Sequence, residues 1–104
     1  MRILMTVSMP VEAANAQARK GALGKTIGAI LEELKPECAY FGDNDGKRTG
    51  FIVVNIDGMH QIPKIAEPWF LAFNASVRLT PVMVAEDLQK AGPDIERAAQ
   101  KYGG

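Results

Sequence analysis

The sequence predicts an α+β fold: a four-stranded antiparallel sheet with helices on one face, in the chain order βαββαβ. Three observations predict it. Four short stretches carry strand-type apolar patterning, and apolar residues at helical spacing fill the first and third gaps between them. The middle gap holds only a tight-turn sequence, Asn44-Asp45-Gly46.

Residues 2–9 set Ile3, Met5, Val7 and Met9 against Leu4, Thr6 and Ser8, the period of two that marks a strand, and Pro10 ends it. Val11 to Leu34 reads as a helix, with Leu23, Ile27, Ile30, Leu31 and Leu34 forming one apolar stripe. Gly21, Gly24 and Gly28 each weaken it by up to about 1 kcal/mol relative to Ala. They either permit close packing on the sheet or mark a break near 21–24. Lys35-Pro36 closes the helix, because the residue before Pro is pushed toward extended conformations.

Glu37 to Asp43 is a short second strand with the aromatic pair Tyr40-Phe41, and the turn follows it. Thr49 to Ile56 is the strongest strand, rich in β-branched residues, and Asp57-Gly58 ends it. The second helix runs to about Phe73 on Ile62, Ile65, Ala66, Trp69, Phe70 and Phe73, with all three aromatics assigned to the core. Pro63 suits a first turn, whereas Pro68 should kink or restart the helix. Ser76 to Val84 is the fourth strand, and Pro81 within it points to an edge or a bulge. Glu86 to Ala91 forms a helical turn, Gly92-Pro93 breaks it, and Asp94 to Tyr102 is a short terminal helix.

This βαββαβ order is the ferredoxin-like arrangement, with strands in spatial order 4-1-3-2. Residues 1–104 are expected to form one such domain. Ile3-Met5-Val7-Met9, Ile52-Val54-Ile56 and Val77-Leu79-Met83 should pack on the helices. The opposite face then carries Thr6, Ser8, Phe51, Val53, Asn55, Arg78, Thr80 and Val82. Apolar bulk on both faces of the first and third strands predicts a homodimer, since the helices can cover only one face.

Twelve basic and twelve acidic side chains cancel and are scattered. That argues against a nucleic-acid partner, which favours a basic stripe, and against a polybasic membrane patch. The first apolar stretch is broken by Thr6 and Ser8 and stopped by Pro10, so it reads as a strand and not a secretory signal. With one cysteine, Cys38, no intramolecular disulfide can form, and a cytoplasmic location is expected.

Three local motifs are set aside, two on spacing and one on context. Gly24-Lys25-Thr26 resembles the end of a phosphate loop, but the glycine required five positions earlier is Arg19. Asp43-Asn44-Asp45-Gly46 resembles a calcium loop, but that register puts Phe41 and Ile52 at ligand positions. Asn74-Ala75-Ser76 matches a glycosylation sequon in a chain with no secretory signal. His60 is the only histidine, so one chain cannot assemble a multi-histidine metal site; no metal and no cofactor are expected.

The segments Met1–Val7, Leu34–Phe41, Ile62–Phe70 and Leu79–Met83 give the chain a further likeness. It resembles the dimeric α/β-barrel superfamily, and within it a group of short bacterial proteins of uncharacterised activity. The resemblance implies two ferredoxin-like chains pairing their sheets face to face, with helices outside. That superfamily includes cofactor-free monooxygenases, muconolactone-type isomerases, haem-degrading enzymes and non-catalytic members. Haem degraders carry an Asn on the first strand, where this chain has Thr6 and Ser8, so haem chemistry is disfavoured.

Two readings follow. The first is a homodimeric barrel that binds a small molecule or serves as a non-catalytic partner. The second is a cofactor-free monooxygenase or isomerase acting on a small hydrophobic or aromatic metabolite. Either way the candidate ligand-binding residues are Thr6, Ser8, Tyr40, Phe51, Asn55, His60, Arg78 and Thr80, apolar bulk interspersed with a few polar groups. Arg78 is the candidate for anion recognition.

Overall fold

The computed structural model describes all 104 residues. Strand β1 (Arg2–Ser8) leads into helices α1 (Val11–Arg19) and α2 (Leu23–Leu34), then strands β2 (Cys38–Asn44) and β3 (Lys47–Asn55). A 3-10 turn at Met59–Gln61 precedes helix α3 (Ile62–Phe73), strand β4 (Ser76–Pro81) and helix α4 (Ala85–Tyr102). The sheet order is β2-β3-β1-β4 with every neighbouring pair antiparallel, the ferredoxin-like arrangement. β2 and β4 are its two edges.

Alternation along β1 and β3 decides which face is covered. Ile3, Met5, Val7 and Met9 are buried beside Ile52, Val54 and Ile56, against Ala14 of α1, Ile30 of α2 and Ile65, Trp69 and Phe73 of α3. The Trp69 and Phe73 rings stack at 6.2 Å between centroids, deep in this layer. Gln17 of α1 donates its side-chain amide to the carbonyl of Ala72, which ties α1 to the end of α3.

The helix expected over Val11–Leu34 is two helices. Gly21 adopts φ 71°, a conformation that an L side chain resists, and the chain turns there. α2 and α3 end on Lys35 and Asn74 in the left-handed region, at φ 48° and 54°. Asn tolerates that region better than most residues. Between β2 and β3, Asp45 at φ 57° and Gly46 at φ 76° form the two-residue turn that suits the twist of a hairpin. Because the turn takes only those two residues, Asn44 belongs to β2 and Lys47 to β3.

Four further expectations are corrected. Pro68 does not restart α3: it forfeits a bond to the carbonyl of Lys64, an exposed residue, and one helix runs on to Phe73. Gly92-Pro93 likewise does not divide the C-terminal segment, which is one helix of 18 residues with Gln89, four positions before Pro93, exposed. Phe70 is 39% exposed, because the buried stripe of α3 runs through Ile65, Ala66, Trp69 and Phe73 and leaves Phe70 beside it. Met83 is 63% exposed, since β4 stops at Pro81 before reaching it.

α4 stands apart from this body. No residue of it is buried. The radius of gyration is 17.4 Å and the long axis 59 Å, against a radius of about 13 Å for a compact domain of roughly 100 residues. Asp87 accepts a hydrogen bond from the Val84 N–H at 3.2 Å, which satisfies one of the free donors at the start of α4.

Candidate functional site

No helix covers the second face of the sheet, and the strand register sets its residues in transverse rows. Tyr40, Phe51, Thr6 and Arg78 are successive cross-strand partners from β2 to β4. On one side of them lies the row Cys38, Val53, Leu4 and Thr80, and on the other Gly42, Thr49, Ser8 and Ser76. Seven candidates from the sequence, Thr6, Ser8, Tyr40, Phe51, Asn55, Arg78 and Thr80, therefore share one face.

A recess of about 370 Å³ opens on this face, lined by Thr6, Ser8, Asn44, Ser76, Val77 and Arg78. Asn44 reaches it from β2, two strands away from β1. The end of the hairpin therefore reaches toward β1 and β4 on the uncovered face, and Thr49 on β3 is shut off from solvent. Thr49 Oγ1 donates to the Lys47 carbonyl at 3.1 Å, as a buried hydroxyl requires. Asn44 and Ser76 join the site from the structure alone. In the sequence Asn44 reads as a turn residue, and the signal that places it on a strand is the Asp-Gly pair that follows.

The Arg78 side chain makes no hydrogen bond or ion pair within the chain. Its guanidinium is the one charge at the recess, flanked by hydroxyls and an amide that can donate alongside it. Next to this polar end, Phe51 and the largely exposed Tyr40 supply aromatic surface. Phe51 and Arg78 stand two strands apart, about 9–10 Å at ordinary strand spacing.

The remaining candidates lie elsewhere. Asn55 sits at the far end of the uncovered face, opposite Arg2, where its Nδ2 donates to Glu37 Oε1 at 3.4 Å. Thr80 lies on the row beyond Arg78, next to Leu4. His60 is exposed in the 3-10 turn that follows the Arg2 end of β3, so the fold separates it from the recess by the length of the sheet. Its ring stands against Gly58, where an added Cβ would lie 2.8 Å from Nδ1.

The rows and the recess thus combine one cation, hydroxyls, the Cys38 thiol, the Asn44 amide and aromatic carbon, with no histidine or carboxylate among them. Such a set can orient and neutralise an anion. A cleft of about 360 Å³ between α2 and the hairpin, lined by Met9, Leu23, Ile27 and Phe41 together with Gly42, Arg48 and Thr49, does not include Arg78, Thr6 or Phe51.

No protein-family model, curated protein or solved structure matches the chain. No helix is long and apolar enough to cross a membrane.

Proposed function

We propose that this chain is a homodimeric, non-catalytic binding protein of the dimeric α/β-barrel kind, which takes a small aromatic or hydrophobic carboxylate at the uncovered face of its sheet. The row Tyr40-Phe51-Thr6-Arg78 carries the proposal. It sets an unpaired guanidinium and a hydroxyl in line with two aromatic rings, at a separation that suits a ring on Phe51 with its carboxylate on Arg78. Leu4, Phe51 and Val53 supply apolar surface that a second copy would cover, pairing sheet face to sheet face about a two-fold axis. Coverage by a partner also lowers the local dielectric, which strengthens the grip of Arg78 on an anion. A cytoplasmic setting accompanies this reading, since the one thiol, Cys38, forms no disulfide.

The test is a thermal-shift screen of benzoate, phenylacetate and salicylate, with benzyl alcohol and inorganic phosphate as controls, on the wild type and on Arg78→Ala. Stabilisation by an aromatic carboxylate that neither control reproduces, lost in Arg78→Ala, supports the proposal. An equal response in both proteins, or none in either, rejects it.

A further inference from the structure

We propose that α4 is a dimerisation arm, whose apolar stripe packs antiparallel against the α4 of a second copy of this chain. The inference rests on α4 alone and stands whether or not the sheet faces pair.

An 18-residue helix that contributes nothing to the core has little to hold it. Isolated helices below about 12–15 residues are marginal in water, and Gly92-Pro93 near the middle of α4 leaves only short uninterrupted stretches on either side. Yet the sequence has the pattern of a packed helix. Leu88, Ala91, Ile95, Ala98 and Tyr102 recur at spacings of three and four, and Gly92 and Ala99 widen the same stripe. Pro93 falls on the opposite side, where a missing N–H disturbs no packing. Leu88, Ile95 and Tyr102 are 52%, 57% and 78% exposed, so the stripe finds no partner within its own chain.

The stripe is complementary to itself when reversed. With Ile95 at the two-fold axis, Leu88 of one copy lies opposite Tyr102 of the other, and the small pair Ala91-Gly92 opposite Ala98-Ala99. Small residues on both sides of the centre let the helices approach closely. Charge selects the same orientation. Asp87, Asp94 and Lys101 follow one another at intervals of seven along one border of the stripe. Reversal brings Asp87 of each copy beside Lys101 of the other, twice by symmetry. It also brings the two Asp94 residues together, but Arg97 of the same helix already pairs each of them. A parallel pair gains nothing comparable, because the other border consists of Gly92 and Ala99.

The experiment uses the full chain, with Cys38→Ser as background, and joins cross-linking to mass measurement. In that background Ile95→Cys should form an intermolecular disulfide in more than half of the protein under mild oxidation, and Gln100→Cys, on the far side of the helix, should not. Leu88→Asp combined with Ile95→Asp should raise the concentration at which the dimer half-dissociates by at least tenfold; α4 lies outside the core, so folding should survive. A dimer that does not cross-link in the Ile95→Cys variant and resists the paired Asp substitutions overturns the inference, and so does a monomeric wild type. A Phe51→Asp variant keeps the two surfaces apart. If it abolishes the dimer while the α4 substitutions do not, the sheet-face reading stands and this one falls. If Ile95→Cys still cross-links when combined with Phe51→Asp, the α4 arm pairs without help from the sheet.

Discussion

Arg2 Nε donates to Glu37 Oε1 at 2.9 Å, and Asn55 Nδ2 reaches the same oxygen at 3.4 Å. One carboxylate thus links the start of β1, the end of β3 and the approach to β2 on the uncovered side of the sheet. The hydrogen bond from Arg2, then that from Asn55, hold the Glu37 carboxyl below the usual carboxylate range, against a smaller opposing effect of desolvation.

A folded-state value below the unfolded one means that the stabilisation from Glu37 is present above the ordinary glutamate value of about 4.3 and fades as pH falls through the lowered value. The urea midpoints of wild type and Glu37→Gln should therefore differ at neutral pH and converge as the solution is acidified. A gap that is constant across that range contradicts the assignment.

Trp69 and Phe73 are fully enclosed, so truncation removes both transfer energy and packing. Trp69→Ala or Phe73→Ala should cost roughly 3–5 kcal/mol, whereas Phe70→Ala should cost less than about 1 kcal/mol because the ring is already part-solvated. Denaturation midpoints at fixed m-value give the comparison.

Gly46 takes φ 76°, so a β-branched residue there strains the turn. Gly46→Val should destabilise by about 1–2 kcal/mol. Asp45, at φ 57°, should accept Asn or Gly at little cost. Equal losses at the two positions would show that the turn is not the source.

Arg78 is exposed and unpaired, so its removal disturbs no folded contact. Arg78→Ala should leave the unliganded midpoint within about 0.5 kcal/mol of wild type. A larger loss in urea denaturation of the isolated protein would mark Arg78 as a structural group.

Period and parity account for what can be read from the residues alone. Strand parity is absolute: once Met5, Ile52 and Leu79 are assigned inward, Thr6, Phe51 and Arg78 must share the other face, and they do. Parity says nothing about which end of the sheet a following loop occupies, so it cannot tell that the fold keeps His60 a sheet length away from the other candidates. The reach that brings Asn44 to the recess depends on sheet twist, which leaves no mark on a single strand's pattern. Neither Pro68 nor Pro93 divides its helix, and the residues whose carbonyls they leave unpaired, Lys64 and Gln89, are both exposed.

The two edges of the sheet are not equivalent as templates. β4 is short, stops at Pro81 and carries a charge at its middle, features that discourage a stray strand from joining it. β2 presents seven residues ending near a tight turn, with Tyr40 and Phe41 at the centre and no proline or basic residue among them. In a concentrated solution, strand-to-strand aggregation should nucleate at β2, and Tyr40→Lys is the substitution that guards that edge.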